Sequence, residues 1–578
     1  MPSTTKHSIV SSTILSLLGI LFGVCPSYCF QTYSDKSQNI VYACKVWGFL
    51  KYFHPAMCCD STWDKKLIHV LRRLESPEAG GNLNAEVEYL LHSADSTLPA
   101  QYSVATENNN DTSAMTMIRY NWDWIHHSLV TPTAQQRLLA LANSKQPHSN
   151  LYLRFERNVR SDSLFPAAIP RFVNESLEPT DSMPDKYRRI LSLARLWNFI
   201  QYFYPYKDLL DKHWDSVLVE FMPIFIATTT EREYTASILR LRTRIHDTHT
   251  FVHSRGADSF FGTYLLPMPL VFVEGNVLVE ESNPNVGMQR GDILLSINGE
   301  RVDSLMQYLR QYANASNEAI RNTIVAGNFL RYRTTSSATL ELRSDAGTKR
   351  VRVQCIPMST YKPQTLPVKP MMRVIDSTHK LLYVDFTQIT QAQISAAMDT
   401  IRQMHGVVFD LRGYPKDALY GMMNQLANPT PFALIRKFDY QLPGHLVEYT
   451  NSCGSKRTYM GKIVVLVNEK AISHAEFTAM ALQTIPGMKT VGSQTAGADG
   501  NVMVMRLPGS IAIALSSVGI YYPDKTPTQR KGVRIDVEVK PTIAGIRAGR
   551  DEVLEKGVEV LQALIKQNNT PAKLSPCK

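Results

Sequence analysis

The chain has 578 residues, 44% of them hydrophobic, and 62 Lys and Arg against 51 Asp and Glu give a formal net charge of +11. That length accommodates several cores of ~100–200 residues each. The basic residues are scattered in short pairs such as Arg72-Arg73 and Arg188-Arg189, without an aromatic-interleaved patch, so nucleic-acid binding finds no support.

Residues 1–29 hold Lys6 as their only charged residue, and Ile9 to Val24 is mostly apolar. The run is short and ends at Pro26-Ser27-Tyr28-Cys29, which reads as a signal peptide and predicts an exported protein, periplasmic or extracellular. No later stretch approaches the ~20 apolar residues of a membrane span. Cys44, Cys58 and Cys59 cluster in the following segment. An exported chain could bridge Cys44 to Cys58 or Cys59, although adjacent cysteines can equally remain unpaired.

An internal repeat comes next. Trp47-Gly48-Phe49-Leu50-Lys51-Tyr52-Phe53-His54-Pro55 is echoed by Trp197-Asn198-Phe199-Ile200-Gln201-Tyr202-Phe203-Tyr204-Pro205, and each copy is followed by Trp-Asp, at Trp63-Asp64 and Trp214-Asp215. Two related helical modules are expected, with the aromatics packing helix on helix. Between them Ser103 to Ser113 is polar and reads as a loop, and the proline-bearing stretch Ala167 to Asp185 reads as a linker.

His246, His249 and His253 would share one face of a helix, a spacing that can bind zinc. Thr248, Thr250, Phe251 and Val252 favour an extended chain instead, and no Cys or His-Glu-x-x-His accompanies them. Further on, Val277-Leu278-Val279 and Gly291 to Ile297 read as strands, the second ending in the hairpin signal Asn298-Gly299.

Two short apolar runs follow, Gly406 to Asp410 and Ile463 to Val467, each with the pattern of a strand buried on both faces. The first ends in Asp410, Arg412 and Gly413. The charges there require pairing, and the glycine can bring a backbone N–H close to a ligand. The second leads through Asn468-Glu469-Lys470 to Ser473-His474-Ala475-Glu476 and an apolar-periodic helix, and then to the strand Thr490-Val491-Gly492. A serine at such a junction lies over a helix amino terminus, where backbone N–H groups can stabilise an oxyanion. The plainer reading of Ser-x-x-Glu is a capping box. Lys531 to Val539 alternates like a closing strand, and a helix is predicted over Asp551 to Gln567.

These pieces in this order resemble the tail-specific, carboxyl-terminal-processing serine proteases of peptidase family S41, and most of all their tricorn-like branch. The resemblance rests on Asp410–Gly413, Ser473–Glu476, Val491–Gly497, Gly532–Asp536 and Asp247-Thr248-His249, with a PDZ-like segment between. It implies Ser473 as nucleophile and the N–H groups of Gly413 and His474 as the oxyanion hole. Ala498 stands where one branch of the family has its lysine base, so the resemblance points to His249 as general base, with Thr248 as the adjacent hydroxyl residue. The family's acid falls at Gln529, a departure, since an amide stabilises imidazolium less than a carboxylate does. Asp499 and Asp524 are other acids that could serve. Glu476 is expected to cap and orient the serine helix.

The expected architecture is multidomain α/β. It comprises a leader (1–29), a first helical module (30–180), a second carrying the base (181–255), a PDZ-like domain (256–360) and the catalytic core (361–570). The expected activity is hydrolysis of peptide or protein substrates without metal or organic cofactor. The alternatives are a catalytically weak peptide- or lipid-binding relative and a histidine-based metallohydrolase.

Overall fold

The computed structural model describes residues 35–58, 62–76, 81–96, 115–116, 122–143, 151–157, 168–175, 183–362, 370–438 and 446–569. The expected leader and the polar stretch 103–113 lie outside them. Among the described residues no helix is long and apolar enough to cross a membrane.

The repeat folds as two helix pairs, Asp35–Phe53 with Trp63–Glu75 and Lys186–Phe203 with Trp214–Ala227. In each pair the tryptophans bind one another's backbone. Trp47 donates its indole N–H to the Trp63 carbonyl at 3.2 Å and Trp63 returns one at 3.1 Å, while Trp197 and Trp214 do the same at 3.1 and 2.9 Å. Buried indoles need such a partner, and the reciprocal exchange accounts for the repeated Trp spacing as packing. The first helices of the two pairs cross at Gly48, where a Cβ would stand 2.1 Å from the Asn198 carboxamide. Asn198 uses that approach to donate to the carbonyls of Cys44 (3.1 Å) and Ala194 (2.8 Å).

Charges follow the same pseudo-symmetry. Lys45 pairs with Asp215 at 2.6 Å, and Arg195 pairs with Asp64 at the equivalent positions. Lys51 joins the second pair, 2.8 Å from Asp64 and 2.7 Å from Glu175, which Arg195 Nε also meets at 2.9 Å. The stretch read as a linker supplies Glu175. Part of it is a strand, Ala168–Phe172, antiparallel to Leu153–Arg157, because the ribbon tolerates Pro170 at an edge. Cys44 is a free, fully buried thiol, so the disulfide considered for it does not form. One apolar core runs through both modules and on to the strands Val502–Leu507 and Ile511–Ser516 of the carboxyl-terminal region.

The middle region is an antiparallel sheet, in the order Gly347–Gln354, Ser337–Ser344, Ile293–Ile297, Asn276–Val279, Leu270–Val273, with helices Val302–Arg310 and Glu318–Gly327. The Asn298-Gly299 hairpin forms as expected, both residues left-handed at φ 51° and 84°.

The carboxyl-terminal region is built on a six-stranded sheet ordered Met372–Asp376, Leu381–Asp385, Gly406–Asp410, Lys462–Val467, Lys489–Gly492, Val537–Glu538. Its first pair is antiparallel and the rest are parallel. Val407, Phe409, Ile463 and Val465 pack against helices Ile394–Ile401, Leu419–Leu426 and His474–Leu482. Val408, Val464 and Leu466 meet helix Glu552–Asn569 on the other face. Burial on both faces is what the uninterrupted apolar runs encode. The closing strand is shorter than its alternation suggested. Arg530 and Gly532 are left-handed (φ 68° and 79°), and the segment curls back so that the Val533 N–H donates to Thr495 Oγ1 at 3.0 Å, leaving only Val537–Glu538 in the sheet.

Candidate active site

Parallel strands place their carboxyl ends along one edge of the sheet, and the loops after Gly406–Asp410 and Lys462–Val467 meet there. Ser473 occupies the turn from the second strand into the helix, with φ 58° and ψ −122°. A non-glycine residue in that region is strained by about 1–3 kcal/mol, and a strained strand-to-helix turn of this kind can expose a side chain at the end of a sheet. The strain is held by a hydrogen bond from the Ser473 N–H to the Ala498 carbonyl at 2.8 Å.

The capping-box expectation fails here. Ser473 makes no side-chain cap, and the Glu476 carboxylate, although it also faces the Ser473 N–H, is held by donors of another loop. The fully buried Glu476 carboxylate accepts from the Thr495 hydroxyl (2.5 Å) and from the N–H groups of Gly497 (2.8 Å) and Ala498 (2.9 Å). It thereby ties the helix to the loop that holds the Ser473 backbone. Burial pushes its pKa up to about 7 against those donors.

A pocket of about 290 Å³ opens at Ser473, between Tyr414, Lys416, His474, Phe477, Asp499 and Asn501. His474 is the first residue of the helix, where the N–H has no intrahelical partner. Its ring Nε2 lies 3.1 Å from the Lys416 carbonyl and bridges the two sides of the pocket. Gly413 precedes that loop. The space a Cβ would need there is filled by Thr387 Cγ2 at 2.6 Å, so close packing calls for the glycine. The Asp410–Arg412 charges are paired, Arg412 Nη2 reaching Asp410 at 2.6 Å and Arg412 Nη1 reaching Asp551 at 2.7 Å. Tyr383 also donates to Asp410, at 2.8 Å.

The histidine segment is not a helix: His246 is left-handed (φ 51°), Asp247 to Thr250 is a turn closed by the Thr250 N–H on the Asp247 carbonyl at 2.9 Å, and Val252–His253 is a strand beside Ala512 and Ile513. The three histidines therefore diverge. His246 pairs with Asp211 at 3.0 Å, His253 with Asp258 at 3.2 Å, and His249 Nδ1 lies 3.1 Å from Ser516 Oγ. That separation removes the shared face on which the zinc reading depended. Thr248 is an anchor, exchanging hydrogen bonds with Ser316 of the middle region at 2.9 Å in each direction.

Two residues beside His249 carry a role that sequence reading did not assign. Buried Asp247 accepts from the His249 N–H at 3.0 Å and from the Ser516 N–H at 3.3 Å, and it binds the Tyr204 hydroxyl. Burial lowers the pKa of His249, and the Asp247 charge works against that fall. No hydrogen bond joins Gln529, at the family's acid position, to the His249 ring among the described residues. The Gln529 amide donates to the His246 carbonyl (3.2 Å) and to Tyr204 Oη (3.4 Å), reaching Asp247 only through that tyrosine. Asp247 stood inside the Asp-Thr-His segment already singled out, but Ser516 is 267 positions away and had no local signal.

Ser473 and His249 are not joined by a hydrogen bond among the described residues. The loop Ala498–Asn501 lies between them: Ala498 holds Ser473, and the Asn501 carbonyl accepts from the Ser517 N–H at 2.7 Å, next to the serine that holds the histidine. Catalytic hydrogen bonds commonly tighten only with substrate in place. Asn317 braces the same arrangement, its Nδ2 donating to the carbonyls of Thr495 (2.8 Å) and Ala496 (3.1 Å).

Residues 380–539 match the model of peptidase family S41. Among solved structures, mature CPAF aligns at 16% identity with a TM-score of 0.54, over 67% of this chain and 99% of that one. CPAF complexed with lactacystin aligns at 16% and 0.53, over 66% and 99%. The photosystem II D1 C-terminal processing protease aligns at 17% and 0.37, over 64% and 99%. At these identities the CPAF likeness is one of fold. No curated protein sequence matches the chain.

Proposed function

We propose, from the premise that residues 380–539 belong to peptidase family S41, that this protein is an exported serine peptidase working through an acyl-enzyme. Ser473 Oγ attacks the peptide carbonyl. The N–H of His474, at the helix amino terminus, and that of Gly413, at the end of the neighbouring strand, receive the oxyanion. His249 takes the serine proton through Nε2, since Nδ1 is engaged by Ser516, and then delivers it to the leaving amine. Asp247 is a positioning residue, fixing the His249 backbone and favouring imidazolium by its charge. Water then hydrolyses the ester. The observation that carries this reading is the strained elbow of Ser473, its side chain released from capping and placed at a pocket.

The test is digestion of a mixed peptide and unfolded-protein pool, read by mass spectrometry, with wild type, Ser473→Ala and His249→Ala in parallel. Cuts absent from both variants support the mechanism. Equal cutting by Ser473→Ala would remove the chemistry from this serine. A second reading, a relative of low turnover that binds peptides, is favoured by one observation, the amide of Gln529 at the family's acid position. Capture of peptides with no Ser473-dependent cut would select it. The export proposal rests on the apolar run Ile9 to Val24, and amino-terminal sequencing of protein recovered outside the cytoplasm checks it.

A further inference from the structure

Strands Val502–Leu507 and Ile511–Ser516 pair antiparallel, with Val502 opposite Ser516, Val504 opposite Ala514 and Arg506 opposite Ala512. Val252–His253 continues this sheet, with His253 opposite Ala512, and the Ala514 N–H donating to the Phe251 carbonyl at 2.9 Å extends the register to Phe251. Residues directly opposite one another share a face. Met503, Met505, Ile513 and Leu515 therefore lie on one face, and all four are in the core. The other face carries Val504, Ala514 and Phe251 in one row and Val502 and Ser516 in the next, where Ser516 Oγ lies 3.1 Å from the His249 ring. Sheet faces turned to water ordinarily alternate to polar residues. Here Phe251, Val502 and Val504 are 53%, 36% and 45% exposed. An open apolar face thus runs up to the histidine, and Val502 follows directly on Asn501, which borders the Ser473 pocket.

We infer that this face is a specificity subsite for the leaving half of the substrate, taking an aliphatic or aromatic side chain from the first two residues after the cut bond. This rests on the serine-peptidase reading above. His249 delivers its proton to the leaving amine, so the departing segment begins at His249. The acyl half stays on Ser473, where the pocket walled by Tyr414 and Phe477 is available to it. Strands advance by about 3.3 Å per residue, so same-face rows are about 7 Å apart. An extended peptide advances at the same rate, and its first two residues past the amine span the row of Val502 and the row of Phe251 and Val504. A charged side chain set there would be desolvated against three apolar neighbours with no partner. The polar residues Arg506 and His253 stand one row further, and His253 is paired with Asp258 at 3.2 Å.

The experiment measures kcat/KM of the full chain on a peptide cut at one Ser473-dependent bond, with Leu, Phe, Ser or Asp placed in turn at each of the two positions before and after that bond. After the bond, Leu and Phe should exceed Ser by roughly tenfold, the low end for an apolar contact because the face is open on one side. Phe251→Ser and Val504→Thr should each lower that ratio to about threefold or less. The ratio is taken within each variant, so a general loss of turnover from a displaced His249 cancels. Both replaced side chains are exposed, and surface substitutions of this kind cost little stability. Absence of an apolar preference after the bond, or a preference there unmoved by both variants, would overturn the subsite and leave the peptidase standing. Absence of any Ser473-dependent cleavage would overturn the peptidase reading and the subsite with it.

Discussion

Glu476 ties the serine helix to the loop behind Ser473, and its replacement by glutamine separates stability from activity. The carboxyl is raised from 4.5 to about 7 by burial, so the folded state disfavours its ionisation. At roughly 1.4 kcal/mol per pH unit this amounts to about 3 kcal/mol. The stabilising contribution is present below about pH 4.5 and is lost as pH rises to about 7, because the unfolded chain ionises first. Glu476→Gln has no such titration. The stability of the variant relative to wild type should therefore rise by about 3 kcal/mol between pH 4.5 and pH 8. The chain has several cores, so the quantity to follow is the denaturation transition of the carboxyl-terminal region that holds Glu476. Activity should move the other way. A carboxamide presents only one acceptor oxygen to donors from Thr495, Gly497 and Ala498, and the loop that holds the Ser473 backbone loosens. A stability difference flat with pH to within about 1 kcal/mol would refute the raised carboxyl, since the linkage has no other route.

The kcat/KM profile should have its acid limb below the ordinary imidazole value of 6.5, because burial lowers the pKa of His249. Asp247→Asn should move that limb lower still and reduce kcat/KM by roughly 100-fold, by loss of a charge that favours imidazolium; an unmoved limb would separate Asp247 from the base. Gly48→Ala places a Cβ 2.1 Å from the Asn198 carboxamide and should destabilise by about 2 kcal/mol, with part recovered in the double variant with Asn198→Ala, as a denaturation cycle would measure. Lys51→Met leaves Asp64 and Glu175 with Arg195 as their one remaining cation among the described residues and should cost about 3–5 kcal/mol in thermal or chemical denaturation.

The sequence by itself determined the elements whose cause is local or periodic. Continuous apolar runs announced strands covered on both faces, and Asn298-Gly299 announced its hairpin because two successive left-handed residues are cheap only there. The repeated Trp spacing announced paired helices, and Ser473 at a strand-to-helix junction announced the nucleophile candidate. The tertiary structure decided what depended on partners far away in the chain. Ser-x-x-Glu reads as a cap in isolation, and only the loop from Thr495 to Ala498 shows Glu476 turned to a different set of donors. Three histidines at helical spacing were separated by the turn at Asp247 to Thr250 and by the pairing of Val252–His253 with a strand some 260 positions on. His249 found Ser516 and Asp247 found Tyr204 only when distant segments were packed together. Spacing along the chain encodes periodicity and turn geometry. It carries no record of which buried polar groups will meet, since that is settled by the packing of segments hundreds of residues apart.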